Sequence, residues 1–269
     1  EAGAATADSG VGTAVGGDGP GANGPMAQGY QQLSGSFAVT GSGDIGPASG
    51  PGAGRPAERS LVGGFAGLVA IIVVAALFMT SEYRRGLIRV TLAASPRRGR
   101  VLAAKAVVVG VASFAIGLIA ATVSLKLGNH LAYSHGANVL PISAGAQARL
   151  IVGTAAIFAV VAVFALALGA LARRSAAAVT AALAMIVLPY ILATSSVLPA
   201  GAAQWLARLT PAAGFAVQPS LVAWPQVSAA YTPDNGYFPL APWVGLAVLC
   251  AWAAAALGLA YRQLQRRDA

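Results

Sequence analysis

The residues with the clearest potential for chemistry are the cations of the stretch SEYRRGLIRVTLAASPRRGR, residues 81–100. Apolar side chains recur at helical spacing through its first half, while Arg85 and Arg89 lie one turn apart on another face. The Ser95-Pro96 pair supplies a helix cap followed by a first-turn proline, so a second helix is expected to begin there. The pattern predicts a short amphipathic helix, a capped break and a rigid connection to the next segment.

Two kinds of chemistry suit this arginine-rich segment, which together with residues 101–102 we call the elbow (residues 81–102). An amphipathic helix with arginines on its polar face can lie on a membrane surface and bind anionic lipid. The same helix can instead dock into a protein partner and transmit its motion. Periodicity alone does not distinguish these two interpretations.

Motifs for enzymatic chemistry are missing from the sequence. It contains no GxxxxGK[ST] phosphate loop, no HExxH and no GxSxG, and no cluster of metal-binding residue types. We therefore expect no catalytic residue, no metal and no cofactor in this chain.

The composition predicts the environment that the elbow works in. Of the 269 residues, 57% are hydrophobic and 9% are charged, and the mean hydropathy is +0.71. Soluble domains carry about 25% charged residues. Five apolar segments are long enough to cross a hydrocarbon layer of about 30 Å. The sequence predicts an all-α, polytopic helical membrane protein with spans at about residues 61–80, 103–125, 150–172, 176–198 and 240–261.

The distribution of charge predicts the orientation of these spans. Twelve of the 17 Lys and Arg residues lie on one side, in the elbow (81–102), at Lys105, at residues 173–174 and after residue 261. Positive residues mark cytoplasmic connections, so we expect a multi-pass protein with a cytoplasmic C-terminus and residues 1–60 outside the cell. The net charge of +9 then follows from topology and does not indicate nucleic-acid binding.

The segments outside the spans have different compositions. Residues 1–60 are rich in Gly, Ala and Pro and predict a flexible extracellular arm, with a possible short strand or hairpin near residues 30–45. Export of such an arm requires a preceding span, so we expect one before Glu1. Residues 199–239 form an outer loop.

The spans themselves are almost free of ionisable groups. Apart from Lys105 at the edge of the second span, none of the five predicted spans contains Asp, Glu, Lys, Arg or His. Ion-coupled carriers usually place such groups inside the membrane. The pattern disfavours an ion-coupled carrier, so the energy for any transport must come from elsewhere.

The elbow resembles the cytoplasmic signature of actinobacterial permeases of the type-2 class of ABC exporters. The resemblance covers residues 61–269 and includes the terminal RRDA, although the chain has Gly-Leu at 86–87 where the family often has Gly-Thr. The matching positions of the elbow are Glu82, Gly86, Thr91, Leu92, Pro96, Arg97, Arg98, Ala104 and Lys105.

The resemblance implies a six-span permease of which five spans are visible, paired with a second permease copy or homologue in the cell membrane. A separate cytoplasmic ATPase subunit would hydrolyse ATP, and the cargo would be a hydrophobic or amphipathic compound moved outward. Residues 1–60 would be the first external loop. The ATPase-coupling residues would be Glu82, Arg84, Arg85, Gly86, Arg89, Thr91, Leu92, Pro96, Arg97 and Arg98.

One alternative function stays open. The chain can instead be a non-transporting membrane scaffold whose elbow binds lipid or anchors a partner.

The structure of residues 199–239 is also open. The family has partly re-entrant helices between its last two spans, which would correspond to Pro199–Pro239 here. An amphipathic loop on the outer surface explains that segment equally well.

Overall fold

The computed structural model describes residues 37–39, 45–47, 57–84, 98–135, 142–195, 197–220, 233 and 237–266. The chain divides into two units, Glu1–Ala53 and Gly54–Ala269. In the first unit, strands β1 (Phe37–Val39) and β2 (Ile45–Pro47) pair antiparallel, with Phe37 opposite Pro47. This short hairpin overlaps the end of residues 30–45, where the sequence allows a strand or a hairpin.

The described part of the second unit is helical. Five of its helices are long and apolar enough to cross a membrane, which confirms an all-α polytopic membrane protein with five visible spans. The elements in chain order are a first 3-10 helix (Ala57–Leu61), α1 (Gly64–Arg84), α2 (Arg98–Ser134), α3 (Ala144–Ala172), α4 (Ser175–Thr194), α5 (Ala200–Leu209), a second 3-10 helix (Pro211–Val217) and α6 (Pro242–Arg266).

Several helices are longer or shorter than their apolar stretches. Helix α2 continues nine residues beyond the predicted span end at residue 125, and α3 begins six residues before the predicted start at residue 150. Helix α4 ends at Thr194, four residues early. Hydropathy locates the part of a helix that suits hydrocarbon, whereas a helix extends into polar sequence wherever backbone hydrogen bonds and packing allow it.

Helix α3 lies at the centre and packs against the other four spans. Its sequence is apolar on all sides, as expected for a helix surrounded by protein. The Ser143 hydroxyl caps its start by accepting a hydrogen bond from the Ala146 N–H at 3.2 Å. At its end Arg173 adopts the left-handed conformation with φ 54°, and α4 starts two residues later. This tight turn makes α3 and α4 an antiparallel pair.

The spans alternate in direction, which gives the bundle two distinct ends. Met79 near the end of α1, Leu102 near the start of α2, Ala170 of α3 and Ala260 of α6 share one buried cluster. The connections that carry most of the arginines leave from this end, which we call the basic end. The opposite end is marked by a second cluster, which contains Ala57, Leu61, Ala121, Leu125 and Leu150.

The predicted N-terminal arm, residues 1–60, overlaps packed structure at its end. Residues 57–60 form most of the first 3-10 helix, whose residues Ala57 and Leu61 are buried against α2 and α3. The two apolar side chains lie four residues apart and face the bundle together. The first 3-10 helix therefore belongs to the packed opposite end.

The predicted outer loop, residues 199–239, contains structure that enters the bundle. Helix α5 is amphipathic, with Ala203 and Ala207 buried and Trp205 60% exposed. All seven residues of the second 3-10 helix are buried, and this helix packs on α3, α4 and α6. The described part of the predicted outer loop therefore packs against the bundle, and both interpretations of residues 199–239 stay predictions.

Candidate functional site

The predicted coupling residues fall partly within the described structure. Glu82 and Arg84 lie in the last turn of α1, and Arg98 is the first residue of α2. Both ends of the elbow are therefore at the basic end. The other predicted coupling residues lie outside the described residues, and their role stays a prediction. They are Arg85, Gly86, Arg89, Thr91, Leu92, Pro96 and Arg97.

Close packing fixes the start of α2 where it leaves the elbow. Gly99 faces the ring of Tyr261 near the end of α6, and a Cβ atom at residue 99 would lie 2.7 Å from that ring. The Lys105 ammonium lies 5.9 Å from the centroid of the Phe78 ring, within range of a cation–π interaction. The start of α2 is thus held between α6 on one side and α1 on the other.

Polar contacts at the opposite end tie the first 3-10 helix to the chain that follows the second. The backbone N–H of Ser220 donates to Glu58 Oε2 at 3.2 Å, and the Ser220 hydroxyl donates to the same oxygen. Arg149 Nη2, in the second turn of α3, donates to the Pro219 carbonyl oxygen at 2.7 Å. We call Glu58, Arg149, Pro219 and Ser220 the clasp.

The first 3-10 helix, which carries the clasp residue Glu58, also contacts α2. Ser60 lies against Gly128, where a Cβ atom would be 2.5 Å from the Ser60 Cβ. No side chain larger than hydrogen fits at residue 128 without displacing the first 3-10 helix. Helix α2 therefore begins at the end of the elbow and contacts the first 3-10 helix near its own end.

The second 3-10 helix is seated by two glycines in neighbouring spans. Val217 fills the space at Gly153, where a Cβ atom would lie 2.6 Å from a Val217 methyl group. On α6, a Cβ atom at Gly245 would collide with the Ala213 carbonyl oxygen and lie 2.7 Å from the Ala216 Cβ. Gly153 is about 14 Å along α3 from its first residue, so the second 3-10 helix packs against α3 beyond its first two turns.

Aromatic rings line the side of the second 3-10 helix that faces α1 and α4. Phe215 is 4% exposed, and its ring centroid lies 4.5 Å from that of Tyr190 and 5.3 Å from that of Phe65. Phe238 stacks on Tyr190 at 6.1 Å. Tilted and offset rings at these separations are favourable packing arrangements, so this cluster holds the second 3-10 helix in place.

Sequence reasoning missed the clasp. It recognised neither Glu58 nor Arg149 as a site. Arg149 is an isolated charge beside an apolar segment, which is a usable signal for a paired group, whereas Glu58 is followed directly by Arg59. Ser220 has no such signal, because serine is common in loops. The contact between residues 58 and 220 appears only after the spans are assembled.

Two further observations concern metal binding and similarity to known proteins. Among the residues that the structure describes, no three His, Cys, Asp or Glu side chains lie together as a metal site would require. Comparison of the chain with protein-family models, with curated proteins and with solved structures gives no match.

Proposed function

We propose that this membrane protein is the permease subunit of an ATP-driven exporter. In this proposal the basic end faces the cytoplasm, the elbow docks on a separate ATPase subunit, and two permease copies form the path for a hydrophobic or amphipathic cargo. The chain itself hydrolyses nothing. The proposal rests on the resemblance of the elbow, on the almost uncharged predicted spans and on the course of α2.

The course of α2 is the observation that carries the most weight. It is one helix of 37 residues, about 55 Å long, that begins at the elbow and reaches the opposite end. Its start is packed against α6 at Gly99, and its far part is packed against the first 3-10 helix at Gly128. A displacement applied to the elbow would travel along this helix to the clasp, as the coupling of ATP use to an outer opening requires.

The second 3-10 helix also agrees in its position with the exporter proposal. It is held by small residues and hydrogen bonds at the opposite end, where an exported compound would leave. We infer that the clasp must rearrange during transport, since it joins the first 3-10 helix, α3 and the segment around Ser220. The path itself would run along α1, α2 and α4 at the contact between two copies.

A non-transporting scaffold remains the second candidate. The elbow carries six arginines within residues 84–100, which would also bind an anionic membrane surface. A scaffold needs no ATPase, whereas the exporter fails without one. An adjacent reading frame with a phosphate-loop motif would favour the exporter.

The decisive experiment compares charge reversals at two places on the basic end. The full chain carrying Arg85→Glu and Arg89→Glu should no longer co-purify with its ATPase and should lose stimulated ATP turnover. Reversal of the exposed Arg262 at the end of α6 serves as the matched control and should retain both. Unchanged ATPase binding in the double variant, or transport by the chain in vesicles that lack any ATPase, would contradict the proposal.

A further inference from the structure

A groove runs along the outside of the bundle between α1 and α2. It extends from Gly67 to Phe78 on α1 and from Val109 to Ala120 on α2, and Phe158 of α3 forms its floor. Its volume is about 380 Å³. The groove exists because both helices pack mainly on α3 and only slightly on each other.

The groove opens sideways and not toward either end. Val74 and Ile116 on its two rims are 65% and 54% exposed, and Phe78 at one end is 42% exposed. These residues lie within segments that are long and apolar enough to cross a membrane. The open side therefore faces the hydrocarbon of the bilayer or another hydrophobic molecule within it.

The length of the groove suits an extended chain. It runs for eleven residues of helix, about 16 Å, along α1 and α2. A hydrocarbon chain can lie lengthwise in it.

The lining excludes a charged or strongly polar occupant. Ser113 is the single polar side chain among the twelve lining residues, and it is 6% exposed. A polar group that enters such a site loses its hydration without gaining enough hydrogen bonds. The polar part of any occupant must therefore lie beyond one end of the groove.

Charge distinguishes the two ends. The groove ends at Phe78, next to the Lys105 ammonium, and the exposed Arg100 lies further toward the basic end. Between residues 59 and 233 the sequence has one acidic residue, Glu82, against seven cations in residues 84–105. An anionic headgroup at this end would meet a strongly positive surface.

We propose that the groove binds one acyl chain of an anionic phospholipid, with the lipid headgroup at the basic end beside Lys105. A lipid site of this kind can exist in a transporter or in a scaffold. The groove lies on α1 and α2, which the exporter proposal also assigns to the cargo path at the contact between two copies, so a lipid in the groove and a second copy against it are distinct outcomes of the test.

The test uses the full chain in nanodiscs of phosphatidylcholine that contain a small fraction of phosphatidylglycerol with a photoreactive group near the end of one acyl chain. Crosslinks should map to the α1 and α2 segments that line the groove. Ala112→Trp fills the groove and should reduce crosslinking several-fold. Val111→Trp is the matched control, since residue 111 is its neighbour and is 64% exposed outside the groove; it should leave crosslinking unchanged.

The headgroup assignment needs a second arm. The same photoreactive chain on phosphatidylcholine should label the groove several-fold less, and Lys105→Gln should remove this preference while Lys105→Arg keeps it. Equal labelling by both lipids would overturn the anionic assignment. If Ala112→Trp does not reduce crosslinking, the groove is not the lipid site. Disulfides between copies at Ala112→Cys, with no lipid crosslink, would identify a contact between copies and overturn the proposal.

Discussion

Glu58 and Ser220 are 162 residues apart in the chain, yet both the backbone N–H and the hydroxyl of Ser220 donate hydrogen bonds to one carboxylate oxygen of Glu58. This pair fastens the segment that precedes α1 to the segment that follows the second 3-10 helix. Both residues are partly buried, so water competes less for these hydrogen bonds than at an exposed site.

The first prediction concerns this pair. Glu58→Ala should lower the free energy of unfolding by about 2 kcal/mol, because hydrogen bonds to a charged group contribute about 1.5–3 kcal/mol. Ser220→Ala should cost less, because it keeps the backbone N–H. Thermal unfolding in detergent of both single variants and the double variant gives the coupling between them. Additive effects of the two substitutions would show that the Ser220 hydroxyl does not form its hydrogen bond to Glu58.

The second prediction compares two glycines of α6. Gly245→Ala should lower the unfolding temperature, since the added Cβ collides with the backbone of the second 3-10 helix, and overpacking typically costs about 1–3 kcal/mol. Gly258→Ala is the control on the same helix, because nothing lies within 4 Å of the added atom. It should be neutral or stabilising, by up to about 1 kcal/mol. If Gly245→Ala and Gly258→Ala change the unfolding temperature equally, the second 3-10 helix does not pack on α6 at Gly245.

The third prediction concerns the aromatic cluster. Phe215→Ala should destabilise the protein by about 3–5 kcal/mol, because it empties a buried site between α1 and α4. Tyr190→Phe keeps the ring and its stacking, so it serves as the conservative comparison with a small effect. Unfolding measurements on both variants, with protease sensitivity around residues 211–217, test this ranking. A loss of stability well below this range for Phe215→Ala would indicate that the Phe215 ring does not anchor the second 3-10 helix.

The fourth prediction concerns orientation. Gln147 is exposed near the first turn of α3, and Arg174 is exposed just after its last turn. In a Cys250→Ser background, Gln147→Cys should react with a membrane-impermeant maleimide in intact cells, while Arg174→Cys should react only after permeabilisation. The excess of cations on the Arg174 side is the physical reason. The reverse labelling pattern would place the elbow outside the cell and exclude docking on a cytoplasmic ATPase.

The agreement between sequence and structure is best where a local property decides the outcome. The length and apolarity of each span are determined by the thickness of the hydrocarbon layer, so composition alone was sufficient to identify five spans. The same holds for the turn between α3 and α4, where too few residues separate the two apolar stretches for any other connection. The coupling residues from Arg85 to Arg97 lie outside the described structure, so their role still depends on the sequence pattern.

Only the tertiary structure decided how the opposite end is built. The segment around Phe215 is compatible with a surface loop or with a re-entrant helix, because its local pattern satisfies both. Its burial depends on space left at Gly153 and Gly245, which belong to helices distant in sequence. The sequence by itself determined that the chain crosses a membrane and where its charges lie. The clasp and the groove form only when elements that are far apart in the sequence pack together. The local periodicity of the sequence carries no information about such contacts.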